Sequence, residues 1–542
     1  MFRNSIGLLF VALIFFLNCS KVIVIRDSDG EYLGDAGVLY ERKVFDGKRV
    51  EEPSVRCHKH PLFRQPCHVG RGACVAMGTY VCKTDSQDVP LCDAKKGHPA
   101  EEICNNNIDD DCDGLVDDTP CVEKTFLAYS PVGKSTYFTS VMHFRGYIYA
   151  AGFFSSMSLN GQKVPSQGGV DIFLLKMSPD GTIIWVRSYG GKFEDKPAQL
   201  IALKDGYVLV GQFEKEIVFH STTKLTSWSR DVFVAKFSSK DEFMWAKAAD
   251  VESDAKALGG CVDEQNIYIT GAYKEKLPLG NNDPNEKNAF LVSFAVSDGT
   301  LKWSKIQTGT NALGVGVLSG PKTGSIYWFQ IALEAGDLQS VNKKVDAREL
   351  IVANLDSDGT VRWTQKLAED YIHTNPRWHM NEDETFTLAD IIKPPVTFHN
   401  QTFKGNAHYI VLARWEQKGR LLWSKLYGSA VLNYTFDCAS SSFLGEISMV
   451  AEHLGVYKAD SYSVKTDTNS SFLMKVDLSG RVSSLQSLGS TKKNLSTFLE
   501  SVVLQTKEHT FVLGTFLGPV QSLGRKYGAS DQWSLFLYKE KR

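Results

Sequence analysis

The sequence predicts a mainly β protein, a seven-bladed β-propeller with a small disulfide-rich N-terminal module. Two observations lead to this fold class. The chain has 542 residues, and a unit of about 60 residues repeats through its second part, while eight of its eleven cysteines lie between residues 57 and 121. Units of four strands repeated four to eight times are typical of propellers. Closely spaced cysteines are typical of small disulfide-bonded modules.

Tryptophan marks the repeating unit. Five tryptophans follow one another at intervals of 60, 58, 60 and 60 residues, at Trp185, Trp245, Trp303, Trp363 and Trp423. An alternating apolar segment and a turn precede them, as in residues 171–181, which read Asp-Ile-Phe-Leu-Leu-Lys-Met-Ser-Pro-Asp-Gly. Two segments of alternating apolar and polar residues, joined by an Asp-Gly turn, predict a β-hairpin. A sixth copy keeps the strand but has Ser484 in place of the tryptophan.

The number of units follows from an earlier strand that each of them contains. This strand occurs seven times, at residues 147–152, 207–211, 267–271, 326–330, 385–389, 447–451 and 510–514. A further apolar segment precedes each one, so the unit has four strands. The last unit ends one strand short, and residues 125–130 resemble the missing strand. We therefore expect residues 122–542 to form seven blades in a ring that its two ends close together, which removes an exposed sheet edge.

The repeat resembles the bacterial β-propeller repeats known as SBBP, whose units carry a D-x-F-[LV]-x-K strand, an Asp-Gly turn and a W-[AV]-[KR] strand. Residues 169–191 are similar to this pattern throughout, whereas Ala389, Ala451 and Ser484 depart from it in the later units. The resemblance covers about three-quarters of the chain. It implies a propeller in an exported protein, and it implies no activity.

The first part of the chain, residues 1–19, is predicted to be an export signal. Arg3 precedes the apolar run 6–17, which has the length of a secretory signal and is too short to span a bilayer core. The run ends at Cys19 and resembles the lipobox of bacterial lipoproteins, although Asn18 stands where a smaller residue is usual. The resemblance implies that Cys19 is diacylated; export without lipidation and an uncleaved anchor are the alternatives. Residues 20–56 are expected to form a tether.

The next segment, residues 57–121, is expected to contain four disulfides. Its cysteines are Cys57, Cys67, Cys74, Cys82, Cys92, Cys104, Cys112 and Cys121. Eight cysteines allow many pairings, and the sequence does not choose among them. A zinc cluster is the alternative, which the lack of a C-x-x-C pair disfavours. A soft metal bound by His58, His60 and His68, at the edge of the segment, is a further alternative.

An acidic loop in this segment is predicted to bind Ca²⁺. The predicted ligands, at positions 1, 3, 5, 7 and 9 of an EF-hand-like loop, are Asp109, Asp111, Asp113, the Leu115 carbonyl and Asp117. Gly114 stands where such a loop turns sharply. Pro120 replaces the bidentate glutamate of a full EF-hand, so Asp118 or a water is expected to complete the shell. The alternative is an acidic turn that caps a disulfide loop, but its aspartates would repel one another without a cation.

Residues 66–121 also resemble the MopE-type metal-binding family. The similarity rests on Gly70-x-Gly72-x-Cys74 and on the run from Glu102-x-Cys104 to Asp113-Gly114. It implies a metal-binding module on an exported protein, and no copper site is transferred from that family.

Charge and motifs argue against several function classes. With 60 Lys+Arg and 62 Asp+Glu the net charge is -2, so nucleic acid is not an expected partner. The propeller region has no G-x-S-x-G, no H-E-x-x-H and no phosphate-binding loop. His373, Trp378, His379 and His399 are interpreted as loop and strand residues. The Asp-Gly-x-x-x-Trp spacing is similar to that of quinoprotein propellers, which have shorter repeats and usually more blades.

We therefore expect a non-catalytic binding or adhesion lipoprotein at the bacterial outer membrane or cell surface, stabilised by Ca²⁺. The lipid would anchor it to the membrane, and the propeller would contact a protein or glycan ligand. Two alternatives stay open. One is an envelope scaffold without a soluble ligand. The other is a propeller enzyme of the lyase or glycosidase type, which would need two acidic or basic groups close together near the axis.

Overall fold

A computed structural model gives the structure of the chain. It describes residues 57–541 apart from 83–88, 98, 100–101, 105–106, 118–122, 130–131, 134–135, 160, 251–253, 275–287, 308–310, 321–322, 373–375, 406–407, 429–438, 444, 492–497, 524 and 529–532. Cys19 and the predicted tether lie outside the described residues. The chain divides into two compact units, with the boundary between Cys121 and Val122. None of the described helices is long and apolar enough to cross a membrane.

The first unit contains a small antiparallel sheet and two short helices. Its strands are β1 (Pro66–Val69), β2 (Ala76–Val81) and β3 (Leu91–Cys92), and β2 lies in the middle. Its 3₁₀ helices are Cys57–Lys59 and Gly72–Cys74. The sheet is too small to bury many apolar side chains on its own.

Disulfides hold this unit together. They join Cys57 to Cys82, Cys67 to Cys92 and Cys74 to Cys112, and Cys104 is disulfide-bonded too. Among the described residues of this unit, the buried apolar side chains are Pro90 and four cysteines. Each disulfide stabilises a fold of this kind by about 2–4 kcal/mol. The prediction of a disulfide-rich module is therefore confirmed, and three of its pairings are now assigned.

The second unit consists of antiparallel sheets of four main strands each. It begins with β4 (Lys124–Tyr129). Blade 1 contains β5 (Thr136–Phe144), β6 (Tyr147–Phe154), β7 (Met157–Leu159), β8 (Gln162–Val164), β9 (Asp171–Met177) and β10 (Ile183–Tyr189). Blade 2 contains β11 (Asp195–Ala202), β12 (Gly206–His220), β13 (Thr223–Ser238) and β14 (Phe243–Ala248), and blade 3 contains β15 (Ala255–Val262), β16 (Asn266–Tyr273), β17 (Asn288–Ala295) and β18 (Leu301–Ile306).

The later blades follow the same order. Blade 4 contains β19 (Ala312–Gly320), β20 (Ser325–Ala332), β21 (Gly336–Leu338), a 3₁₀ helix (Gln339–Val341), β22 (Lys343–Val345), β23 (Glu349–Leu355) and β24 (Val361–Glu369). Blade 5 contains β25 (Arg377–Met380), β26 (Phe386–Ile392), β27 (Val396–Phe398), β28 (Gln401–Phe403), β29 (Tyr409–Trp415) and β30 (Leu421–Tyr427). Blade 6 contains β31 (Ala439–Phe443), β32 (Glu446–Ala459), β33 (Tyr462–Asp477) and β34 (Val482–Thr491), and blade 7 contains β35 (Phe498–Gln505), β36 (His509–Leu517), β37 (Val520–Ser522), β38 (Arg525–Tyr527) and β39 (Trp533–Lys541).

The blades form a closed ring. Their innermost strands contact one another in chain order, and the last of them, β35, contacts the first, β5. In blade 7 the fourth strand is β4, which pairs with β39 so that Tyr129 faces Leu535 and Lys124 faces Glu540. The first and last strands of the propeller therefore lie in one sheet, as the similarity of residues 125–130 to the missing strand predicted. The predicted seven-bladed propeller is confirmed.

The two ends of each blade carry different connections. Because successive strands run antiparallel, the turn between the first and second strands lies at the same end as the turn between the third and fourth. We call this end the turn face. The hairpin between the second and third strands lies at the opposite end, together with the connection to the next blade. We call that end the arm face, and the hairpins its arms.

The arms were not predicted. They are short separate hairpins in blades 1, 4, 5 and 7, and in blades 2 and 6 they are extensions of the two middle strands. In blade 5, β27 pairs with β24 of blade 4, and in blade 7, β37 pairs with β34 of blade 6. These two arms therefore reach back to the outer strand of the preceding blade and extend its sheet. Their strands have only three residues, which is too short for a clear period in the sequence.

On the turn face, the repeated tryptophan of one blade packs on the Asp-Gly turn of the next. A Cβ on Gly359 would lie 3.1 Å from the Trp303 ring, and one on Gly480 would lie 3.1 Å from the Trp423 ring. Trp303 Nε1 also donates a hydrogen bond of 2.8 Å to the carbonyl of Ser357. Since these contacts join neighbouring blades, the repeat of tryptophan and glycine reflects the interface between blades.

The lysine of the repeated strand reaches the next blade as well. Lys176 Nζ lies 2.7 Å from the Asp241 carboxylate in the following blade. Lys236 pairs with Asp205 at 2.8 Å and donates to the carbonyl of Val296 at 3.2 Å. Asp241 and Lys236 are buried, so removing the partner of either would leave a buried charge without compensation.

Blade 6 lacks the tryptophan, since Ser484 occupies its position, and a polar contact joins it to blade 7 instead. Lys475 forms a buried ion pair with Glu540 of blade 7. Burial by itself would raise the pKa of Glu540, but the charge and hydrogen bond of Lys475 hold it below its ordinary value. Tyr538 completes the group by donating a 2.7 Å hydrogen bond to Glu540.

Candidate metal centre and propeller surfaces

The predicted calcium loop is centred on a buried carboxylate. Asp109 is 5% exposed, and its Oδ2 accepts a 3.1 Å hydrogen bond from the backbone N–H of Gly114. Its Oδ1 is buried and has no hydrogen-bond partner. Gly114 has φ +103°, which provides the predicted sharp turn. A buried carboxylate oxygen without a donor is costly unless a cation or water meets it.

Glu102 lies beside this carboxylate, although the sequence did not predict it as a ligand. It is 2% exposed, and it accepts backbone hydrogen bonds from Asp110 at 2.8 Å, from Asp111 at 3.1 Å and from Asp117 at 2.9 Å. Carboxylate oxygens of Glu102, Asp109 and Asp111 lie within 4.8 Å of one another. The glutamate precedes the loop, so loop spacing alone gave no sign of it. Its place in the MopE-like run was the one available signal.

The other predicted ligands lie on the same loop but outside this cluster of three carboxylates. Asp113 Oδ1 accepts a 2.7 Å hydrogen bond from the Leu115 N–H, and Asp117 Oδ2 accepts one of 3.0 Å from the Asn107 N–H. The Leu115 side chain is 59% exposed. Asp118, the expected additional ligand, lies outside the described residues. The structure therefore brings Asp109 and Asp111 together with Glu102, and ligation by all five predicted residues stays a prediction.

The donor set fits a hard divalent cation. Three carboxylates supply oxygen ligands only, which is the chemistry that Ca²⁺ and Mg²⁺ prefer. The disulfide between Cys74 and Cys112 ties the loop to the sheet. Gly72 leaves no room for a side chain, because a Cβ there would lie 2.1 Å from the Asp109 carbonyl oxygen. The loop is therefore held close to the sheet whether or not an ion is bound.

The two other metal hypotheses find little support among the described residues. A zinc cluster needs thiolates, and the cysteines of the three assigned pairs are disulfide-bonded. His58 stacks on Phe63 with ring centroids 4.9 Å apart, and His60 Nδ1 accepts a 3.2 Å hydrogen bond from the Leu62 N–H. Neither these two histidines nor His68 belongs to a metal-ligating cluster in the described part of the chain.

A cavity of about 290 Å³ lies at the propeller axis, lined by inner strands. Its described lining has two ionisable side chains, Arg377 and His379. Burial, and then the charge of Arg377, lower the pKa of His379 to about 4, so the imidazole is neutral at pH 7. Trp378 also lines the cavity, and its ring stacks on that of Phe329 with the ring centroids 3.7 Å apart.

The histidines and the tryptophan of the fourth and fifth units therefore have different positions. Trp378 and His379 lie on the inner strand β25, next to the axial cavity. His399 lies in the turn of the blade 5 arm, exposed and with φ +52°. His373 lies outside the described residues.

Two buried aspartates lie on the arm face between blades 1 and 2. Asp171 and Asp195 are both 0% exposed, and Oδ1 of each has no hydrogen-bond partner. Asp195 Oδ2 accepts a 2.7 Å hydrogen bond from the Gly191 N–H. Burial, with a smaller contribution from the charge of Asp171, raises the pKa of Asp195 to about 8. Asp195 is therefore mostly protonated at pH 7.

Comparison with known proteins gives weak structural likenesses. No protein-family model matches the chain, and no curated protein sequence matches it. A quinohemoprotein alcohol dehydrogenase from Pseudomonas putida HK5 is 8% identical with a TM-score of 0.38, covering 77% of this chain and 76% of that one. The Pan2 WD40 domain of Neurospora crassa is 9% identical with a TM-score of 0.38, covering 76% of this chain and 95% of that one.

The endosialidase of phage phi92 is a third similar structure. It is 8% identical with a TM-score of 0.38, covering 78% of this chain and 69% of that one. Structural similarity with such low TM-scores and sequence identities gives no evidence about the activity of this protein. The propeller is established by the sheet order and by the pairing of β39 with β4.

Proposed function

We propose that this protein is an exported, lipid-anchored binding protein whose cysteine-rich unit is stabilised by Ca²⁺ and whose propeller presents a rigid recognition surface. The observation that carries the proposal is the buried Oδ1 of Asp109, which lacks a hydrogen-bond partner and lies beside Glu102 and Asp111. A calcium ion there would neutralise the cluster. Extracellular calcium modules bind at roughly 10⁻⁴ to 10⁻³ M, which suits a cell surface.

A binding role is supported by the way the propeller is built. Ion pairs and tryptophan contacts join neighbouring blades on the turn face, so the ring is a rigid support for the arms. A glycosidase of the usual type needs two carboxylates about 5–10 Å apart. In the described lining of the axial cavity the ionisable groups are an arginine and a neutral histidine, which favours binding over that chemistry.

The anchor and the family assignments are part of the same proposal. Lipidation at Cys19, an outer-membrane or cell-surface location and the tether 20–56 rest on the sequence, since these residues lie outside the described part of the chain. Likewise, SBBP-type repeats and a MopE-type module are proposed from the motifs. Mass spectrometry of the mature protein should find an acylated amino-terminal cysteine.

Calorimetry of the full chain, with calcium and with a chelator, tests the calcium site. Binding at a hundredfold excess over the dissociation constant stabilises a folded unit by about 2.7 kcal/mol, so the transition of the cysteine-rich unit should move to higher temperature. All ten tryptophans lie between residues 185 and 533. Tryptophan fluorescence therefore follows the propeller alone, and its midpoint should not respond to calcium.

Variants of one loop provide the matched comparison. Asp111→Asn should abolish the calcium-dependent shift, because Asp111 belongs to the carboxylate cluster. Asp110→Asn removes the same charge from a position that is not a ligand position in an EF-hand-like loop, and it should keep the shift. A wild-type unit whose melting ignores calcium, or equal loss in both variants, would contradict the proposed site.

A further inference from the structure

The arm of blade 2 exposes one tryptophan almost completely. This arm consists of the extended ends of β12 and β13, and it buries Ile217 and Phe219 against blade 2. Trp228, on the same arm, is 99% exposed. An aromatic side chain of this size leaves about 150–250 Å² in contact with water. The arm therefore packs one set of side chains inward and presents the tryptophan to solvent.

The backbone of the arm places Trp228 outward. In the register of the two strands, Glu214 faces Arg230 and Glu216 faces Thr226. Lys215 alone thus faces the three residues 227–229, with Trp228 in the middle of them. Lys215 has φ +61°. A β-bulge re-aims the side chain that it carries, and such bulges occur next to functional sites.

A loop from the preceding blade supports the bulge. The Val218 N–H donates a 3.0 Å hydrogen bond to the Gly190 carbonyl, and the Lys215 ammonium lies 4.4 Å from the ring centroid of Phe193. The buried Asp195 holds this loop through its hydrogen bond from Gly191. These contacts hold the β12 side of the bulge opposite Trp228, and a preorganised backbone loses less entropy on binding.

The residues around Trp228 favour a sugar over a protein surface. Its neighbours on β13 are Ser227 and Ser229, and Glu214, Lys215 and Glu216 lie on the facing strand. A protein hot spot is surrounded by contacts that exclude water from a larger patch, and on the described part of this arm the other exposed large apolar side chain is Val218, at 37%. A sugar ring presents C–H groups on one face and hydroxyls at its edge. It therefore suits one flat indole bordered by hydroxyl, carboxylate and ammonium groups.

We propose that the Trp228 arm binds carbohydrate, with the indole stacking on a sugar ring beside Ser227, Ser229 and the charged residues of the facing strand, of which Glu216 is paired with Lys224 at 2.6 Å. The inference rests on the proposed binding function and names the partner class: a neutral polysaccharide chain. Trp228 is outside the 60-residue period that five of the ten tryptophans follow, and it is the tryptophan that stands between two serines. That combination is the sequence signal that distinguishes it from the structural tryptophans.

Affinity electrophoresis of the full chain tests the proposal, in native gels that contain hydroxyethylcellulose, xylan or galactomannan. At least one of these should retard the wild-type protein. Trp228→Ala should weaken that binding by about tenfold or more, as truncation of a central contact does. Trp228→Phe should keep part of it, because a flat ring remains. Met244→Ala, an exposed apolar residue outside the arm, should bind like the wild type.

Melting separates a binding defect from misfolding. Because Trp228 is 99% exposed, Trp228→Ala should melt at the wild-type temperature. The carbohydrate proposal is overturned if no polysaccharide retards the wild type, or if Trp228→Ala is retarded equally. The calcium-dependent shift, measured on the same preparations, reports on the proposed function independently, so either idea can fail while the other stands.

Discussion

Two buried aspartates show how differently the two faces of the propeller are built. On the turn face, Asp241 is 6% exposed and accepts hydrogen bonds from Lys176 at 2.7 Å and from the Tyr149 hydroxyl at 2.8 Å. On the arm face, Asp195 is 0% exposed, keeps one oxygen without a partner and lies near a second carboxylate, Asp171. The charge of Asp241 is compensated by the Lys176 ammonium, whereas Asp195 is mostly protonated at pH 7 because its pKa is raised to about 8.

The two faces also differ in how regular their contacts are. The turn face repeats the same contacts from blade to blade, and most of its buried charges are paired. On the arm face, the arms differ in length and pairing, and buried polar atoms lack partners next to the Trp228 arm. Buried polar atoms without partners also occur on the turn face, as at Trp245 Nε1, so the variable arms are the clearer difference, and variable loops are where binding residues concentrate.

The largest expected effect comes from removing the compensated aspartate. Asp241→Gly deletes the carboxylate and adds no backbone strain, since Asp241 has φ +67° and other blades have glycine at this turn position. Lys176, whose side chain is 12% exposed, would lose its partner, and breaking a buried ion pair in this way costs up to about 3–5 kcal/mol. The measurement is the free energy of unfolding in urea, followed by tryptophan fluorescence. Glu264→Ala, which breaks an exposed ion pair with Lys204, should change it little.

The second prediction concerns how the free energy of unfolding depends on pH. The pKa of Asp195 in the folded protein is about 8, above its ordinary value of 3.8, so the folded chain retains a proton that the unfolded chain loses. Stability should therefore fall as pH rises from about 4 to about 8, by a few kcal/mol in all, and level off above. Asp195→Asn should flatten this fall. Equal pH dependence in the two proteins would show that Asp195 ionises normally in the fold.

The smallest effect concerns the tryptophan–glycine contact. Gly359→Ala places a Cβ at φ +87° and 3.1 Å from Trp303, and left-handed backbone alone costs a residue about 1–2 kcal/mol. Gly324→Ala is the matched control, since Gly324 has φ +63° and open space around it. The Gly359 variant should lose more stability in urea. If both variants lose the same free energy of unfolding, an added Cβ at residue 359 does not disturb the contact between blades 3 and 4.

Much of the fold was predictable because propellers are repetitive. Most repeats make similar contacts with their neighbours, so the period of Trp185, Trp245 and Trp303 is visible as a pattern in the sequence. The closing strand was also predictable, because residues 125–130 resemble the strand that blade 7 lacks. The arms were missed, since three-residue strands carry no periodic signal.

The candidate metal site was predictable in part, for a similar reason. Asp109 and Asp111 follow a local spacing that a single loop determines, and the structure places them together. Glu102 enters the cluster from outside the loop, through hydrogen bonds to three backbone N–H groups. No spacing rule within the loop includes such a residue.

By itself the sequence determined the number of blades, the closing strand, the disulfide-rich module and the acidic loop, because each is encoded by residues close together or by a regular period. The tertiary structure alone decided which cysteines pair, that Asp241 meets Lys176 from the neighbouring blade, that Asp195 is buried uncharged and that Trp228 is exposed. Burial and electrostatic environment depend on residues that are distant in the chain. They exist only once the blades have packed.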